Sequence, residues 1–207
     1  MPAPPDIRCG PPAAYQPARA GRKAFGGAPR SGEPMALRGK DVVVLVEDGY
    51  EDIELWYPYY RLREEGAEVV LAGHEKRICA SKHGYPCEVE ARVGDLKPED
   101  FDAVVIPGGV AGPDRMRRHR EVLDFVRAMG TSGKTVAAIC HAAWIPISAG
   151  LVKGRTMTSF FSVKDDCVNA GARWVDQEVV VDGNLITSRQ PDDLPAFCRA
   201  ILAALSG

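Results

Sequence analysis

Asp41-Val42-Val43-Val44-Leu45-Val46-Glu47 is an unbroken apolar run rich in β-branched residues. It reads as a strand buried on both faces of a parallel sheet. Residues 51–65 follow, with Ile53, Leu55, Trp56, Tyr59 and Leu62 at largely helical spacing and Gly66 as the stop. Strand then helix makes a βα unit, and the pattern repeats outward from it. Strands are expected at 68–72, 103–106 and 136–139, and helices at 121–129, 142–149 (shortened by Pro146), 163–170 and 194–205. Residues 78–91 read as an antiparallel excursion around Lys82-His83-Gly84. Residues 178–181 and 185–187 form a hairpin across Asp182-Gly183, and Asp192 or Asp193 is expected to cap the last helix. Such alternation predicts an α/β sandwich with a mainly parallel sheet. Ligands in these folds sit at the carboxyl ends of strands, where the loops after Glu47, Ile106 and Ile139 can meet.

The chain has 207 residues, 45% hydrophobic and 26% charged, enough for one substantial core. Residues 1 to 40 carry seven basic residues against Asp6 and Glu33, so the body holds the acidic excess. This opening stretch is rich in Pro, Gly and Ala and lacks periodicity, so residues 1–38 are expected to be a disordered basic tail and 39–207 one domain. Its prolines exclude the amphipathic helix of a transit peptide, and nucleic-acid binding is not expected. Met35 is an alternative start. Six scattered cysteines with no Cys-x-x-Cys pair fit a reducing compartment. No run approaches membrane-span length, and a cytoplasmic protein is expected.

The segment Val136-Ala137-Ala138-Ile139-Cys140-His141-Ala142 places one thiol at a strand-to-helix turn. Helix amides there favour a thiolate, which makes Cys140 the candidate nucleophile. His141 is the last histidine, so triads that need a downstream imidazole are excluded; either His141 assists Cys140 or no imidazole does. Glu51, close to the end of the first strand, is the carboxyl expected to crowd the sulfur and stay protonated, whereas Glu54 is read as a complement to the helix dipole. The Gly109 and His141 backbone N–H groups would form an oxyanion hole. Asp114 either caps a helix over 115–119 or orients an imidazole. The spacings of His74, His83, His119 and His141 suggest no metal site, and no cofactor is expected.

Glu51-Asp52-Ile53-Glu54-Leu55, Pro107-Gly108-Gly109, Ala138-Ile139-Cys140-His141, Lys164-Asp165-Asp166 with Asn169-Ala170-Gly171, and Ser188-Arg189-Gln190-Pro191-Asp192-Asp193-Leu194 together resemble the PfpI branch of the DJ-1/PfpI superfamily. The match spans nearly all of Val42 to Leu205. The resemblance implies a flavodoxin-like sandwich of the class I glutamine amidotransferase-like type, assembled as homodimers or homohexamers. It implies nucleophile Cys140, neighbouring His141, a protonated Glu51 and an Asp114 that reaches His141 across a subunit interface. Asp114 is shorter than the Glu of some members, and Ala142-Ala143-Trp144 replaces the Gly-Pro of many. The activities implied are deglycation of protein or nucleotide adducts, glutathione-independent glyoxalase chemistry and ATP-independent peptidase activity. The first two share thiolate addition to a carbonyl, which this chain's residues suit best. A redox sensor or holdase using oxidation of Cys140 is the alternative from another class.

Overall fold

A computed structural model describes residues 35–207; the expected disorder of residues 1–34 falls outside the described residues. In chain order the strands and helices are β1 (Asp41–Leu45), α1 (Asp52–Glu64), β2 (Glu68–Gly73), β3 (Ile78–Ala80), β4 (Pro86–Glu88), β5 (Ala91–Arg92), β6 (Ala103–Ile106), α2 (Ala111–Met116), α3 (Arg120–Thr131), β7 (Thr135–Ile139), α4 (Trp144–Ser148), β8 (Thr156–Met157), α5 (Lys164–Asn169), β9 (Arg173–Trp174), β10 (Val179–Asp182), β11 (Leu185–Ser188) and α6 (Leu194–Ser206). Seven strands form one sheet in the order β10-β11-β7-β6-β1-β2-β5. All its pairings are parallel except the β10–β11 hairpin. The α/β sandwich expected from the βα alternation is the fold observed.

Side chains of the central strands alternate between two apolar layers, as the two-residue period of a strand requires. Val43, Leu45, Val104, Ile106, Val136 and Ala138 face Phe125, Val126 and Met129 of α3. Val42, Val44, Val105, Ala137, Ile139 and Ile186 face Leu55 and Leu62 of α1 and Phe197 and Ile201 of α6. With helices on both faces, β1 has no solvent side, and for this reason its sequence is continuously apolar.

Three expectations are corrected. The excursion at 78–91 is shorter than expected: β3 and β4 pair antiparallel, while Ala91 enters the main sheet beside β2. Asp192 and Asp193 do not cap α6 through a side chain; the Asp193 carboxylate instead receives both the Nε and Nη2 of Arg189, at 2.9 and 3.0 Å. The ordered body also starts before residue 39. Leu37 is fully buried within the α1–α6 layer, and its N–H donates to the Glu65 carbonyl at 2.8 Å. A lone leucine in a polar and glycine-rich context gave no periodic signal. Among the described residues no helix is long and apolar enough to cross a membrane.

Leu37→Ala removes a fully buried side chain and should lower the unfolding free energy by about 2–4 kcal/mol. Urea denaturation checks this; a change near zero would show that the segment contributes nothing to the body.

Candidate active site

β7, β6 and β1 are neighbours in the sheet, so the loops at their carboxyl ends converge. Cys140 follows β7 directly and has φ 63°, a left-handed conformation that costs an L residue roughly 1–2 kcal/mol. It is the one described non-glycine residue with positive φ. A single turn of 3-10 helix, Cys140–Ala143, then leads into α4. The sharp turn leaves the thiol at the mouth of the sheet, 8% exposed, and brings the His141 Nδ1 to 3.2 Å from its Sγ.

The backbone N–H groups of His141 and Gly109 both act on the Cys140 thiol, lowering its pKa. Gly109 can turn its amide inward because its φ is +83°, and a Cβ there would meet the Gly49 carbonyl oxygen at 2.5 Å. The two amides expected to form an oxyanion hole thus both border the same thiol.

The carboxyl beside the thiol is Glu54, which corrects the assignment to Glu51. Glu54 lies one turn into α1, completely buried, and its Oε2 accepts the Gly108 N–H at 2.9 Å. Its side chain interacts with the Cys140 thiol. Glu51, just ahead of the helix, turns its carboxylate to Lys82 in an ion pair instead. The signal for Glu54 was present: Glu54, Leu55, Pro58, Tyr59 and Leu62 form the buried stripe of α1, whereas Ile53 is exposed. A glutamate in the apolar stripe outranks one that is merely closer in sequence to the strand end.

Burial sets the electrostatics. It pushes the Glu54 carboxyl up to about 7, assisted by the negative charge of Glu51 and opposed by the Gly108 N–H. Burial also pushes the Cys140 thiol up to about 12, with the Glu54 carboxylate adding to it and the amides of His141 and Gly109 opposing. The expectation that helix amides alone would hold a thiolate is thus corrected, because desolvation outweighs them. Between those two values the pair carries one proton that either partner can hold. The buried Oε1 of Glu54 has no hydrogen-bond partner among the described residues, which favours the form in which this carboxyl is protonated and donates toward sulfur.

Burial also lowers the pKa of His141, so its imidazole stays neutral at neutral pH and Nδ1 can accept a proton. Nε2 lies 3.3 Å from Ser162 Oγ, a partner the sequence reading did not identify. Phe160 stacks on the imidazole at 4.9 Å and Trp144 meets it edge-on at 5.3 Å. Trp144 donates its Nε1–H to Asp166 at 2.8 Å and also packs on the core, so it both fills space and walls the pocket.

Asp114 is not beside His141 within this chain. It sits inside α2 rather than capping a helix at 115, and it pairs with Arg118. Burial raises the other described cysteines as well, Cys79 to about 11 and Cys87 and Cys198 to about 12. What distinguishes Cys140 is its amides and imidazole. Two clusters offer three ligand atoms of the kind that hold metals: Glu51, Asp52 and His83, and Glu47, His74 and His119. In the first, Glu51 is engaged by Lys82 and Asp52 by Ser81 and His83.

The DJ-1/PfpI family profile matches residues 40–204. Deglycase PfpI of Pyrococcus furiosus is 47% identical over 164 residues, which cover 79% of this chain and 98% of that protein. Protein/nucleic acid deglycase 2 of Escherichia coli is 39% identical, with 80% and 98% covered. Among solved structures, Drosophila melanogaster DJ-1beta superposes with a TM-score of 0.77 at 32% identity, covering 81% of this chain and 91% of that one.

Two predictions follow from the geometry. The unfolded chain loses the Glu54 proton near pH 4.5, but the folded protein keeps it to about 7. Its contribution to stability is therefore fully present below pH 4.5 and is lost as pH rises through 7. Relative to wild type, Glu54→Gln should gain up to roughly 3 kcal/mol between acid and mildly alkaline pH, measured by denaturation across the range. Separately, a Cβ at Gly108 would lie 2.5 Å from Glu54 Oε2 and 2.6 Å from Cys140 Cβ. Gly108→Ala should cost about 1–3 kcal/mol and displace the thiol, read by denaturation and by the rate of Cys140 alkylation.

Proposed function

This chain belongs to the DJ-1/PfpI family, and we propose that it is a cysteine-dependent enzyme acting on small reactive carbonyls or their adducts on amines. One observation carries the proposal: the Cys140 sulfur lies 3.2 Å from the His141 Nδ1, with the amides of Gly109 and His141 and the buried Glu54 carboxyl around it. The thiol proton passes to Nδ1 as sulfur adds to the carbonyl carbon. The alkoxide so formed takes hydrogen bonds from the amides of Gly109 and His141, which at rest lower the thiol pKa. With an α-ketoaldehyde, Glu54 in its carboxylate form takes the proton from the carbon bearing sulfur and returns it to the neighbouring carbon, while the proton held by His141 goes to the oxygen on that neighbouring carbon. This leaves an acyl thioester that water cleaves to a hydroxy acid and free thiol. With an amine adduct, sulfur displaces the amine, which leaves with the proton held by His141, and the resulting hemithioacetal follows the same route to hydroxy acid and free thiol. Deglycase names among the relatives support this chemistry, and the cytoplasm is where we place it. Peptide hydrolysis asks more, because an amine is a poor leaving group and His141 must serve as both base and acid.

The chain is also proposed to self-associate, with Asp114 of a second copy completing the surroundings of His141. Gel filtration of wild type against Asp114→Asn, with activity followed at matched concentrations, tests that contact.

NMR of wild type with methylglyoxal should show lactate. Cys140→Ala should abolish it, Glu54→Gln should slow it by about 100-fold or more, and Glu51→Gln should cost less than Glu54→Gln. Lactate formation by Cys140→Ala, or Cys140-dependent cleavage of peptides without carbonyl turnover, would overturn the proposal.

A further inference from the structure

A second constellation stands at the same end of the sheet and takes no part in the thiol chemistry. Glu47 leaves the end of β1, His74 follows β2 directly, and His119 immediately precedes α3. The Glu47 side chain is 2% exposed, a burial that a carboxylate tolerates only when it is well partnered. One oxygen is fixed: Oε1 accepts the Asp48 N–H at 2.8 Å and pairs with Arg77. The other oxygen, Oε2, faces the imidazoles, with His74 Nδ1 at 2.7 Å. The His74 and His119 rings stack with centroids 3.7 Å apart and planes 9° from parallel. Ligand atoms from all three residues lie within 4.8 Å of one another.

We propose that Glu47, His74 and His119 bind a divalent transition-metal ion of the zinc class. Two imidazoles and one carboxylate form a donor set suited to such an ion. Tetrahedral coordination at about 2.0–2.1 Å needs ligand atoms roughly 3.3 Å apart and the ion in the plane of each ring, so the stacked imidazoles must swing apart to take it up. Arg77 and the Asp48 amide orient the carboxylate from behind, as supporting groups do in metal sites. Both histidines are partly exposed, which leaves the fourth position open to solvent. Because the three residues come from β1, β2 and the start of α3, the ion ties three elements together. It also stiffens the segment that runs from Glu47 to Glu51. Cys140 is not among the ligands, so the site stands or falls independently of the carbonyl chemistry.

Equilibrium dialysis of full-length Cys140→Ala protein against zinc chloride tests the proposal, the substitution removing the pocket thiol as a competing ligand. One zinc per chain is expected. His74→Ala or His119→Asn added to that background should weaken binding by at least about tenfold, and the double variant should abolish it. Zinc should raise the thermal midpoint of Cys140→Ala but not of the double variant, with circular dichroism confirming that each variant is folded. Absence of binding in folded Cys140→Ala protein would overturn the assignment. So would zinc uptake that the double replacement leaves unchanged.

Discussion

Gly108 is held where nothing larger than hydrogen fits. The position of a Cβ there is claimed by the Glu54 carboxylate, by Cys140 Cβ and by the Ile139 carbonyl oxygen at 2.5, 2.6 and 2.8 Å. Because the loop can come that close, its two polar groups are shared between elements. The Gly108 carbonyl accepts the Glu51 N–H at 3.1 Å, clamping the entry to α1, and its N–H donates to Glu54. The next amide, at Gly109, is then close enough to Cys140 to lower its thiol pKa. Gly108 thus registers β1, β6 and β7 against one another at their carboxyl ends. The backbone strain at Cys140 is sustained by that registration together with the Phe160 N–H on the Cys140 carbonyl at 3.3 Å.

The fold was legible because its evidence is local and redundant. A continuous β-branched run at β1, a glycine stop after α1 and the Asp182-Gly183 turn each point to their element, and alternation of elements then dictates a parallel sheet. The strand-to-helix turn at Cys140 and His141 was legible for the same reason. Glu54 was missed because nearness in sequence to the strand end was weighed above helical phase, and phase is what brings a side chain to the sheet. Leu37 packs into the α1–α6 layer and Ser162 reaches His141 through tertiary contacts that no spacing rule records. The Glu47–His74–His119 cluster lay beyond sequence reasoning altogether. Glu47 and His74 meet because β1 and β2 are neighbours in the sheet, and His119 joins them where α3 begins.

Glu47, Glu51 and Glu54 follow one another on a single loop and helix start, yet their environments separate them. Glu47 has Arg77 on one oxygen, and Glu51 has Lys82. Glu54 makes no ion pair among the described residues; it is completely buried, and the negative charge of Glu51 is close enough to raise its pKa further. A carboxyl without solvent or a paired cation keeps its proton to higher pH. The third carboxyl is therefore the one able to donate to sulfur, and the first is the one able to face a metal ion. Swapping the partners would swap the roles: a cation delivered to Glu54 would lower its pKa and take away the proton that the Cys140 pocket depends on.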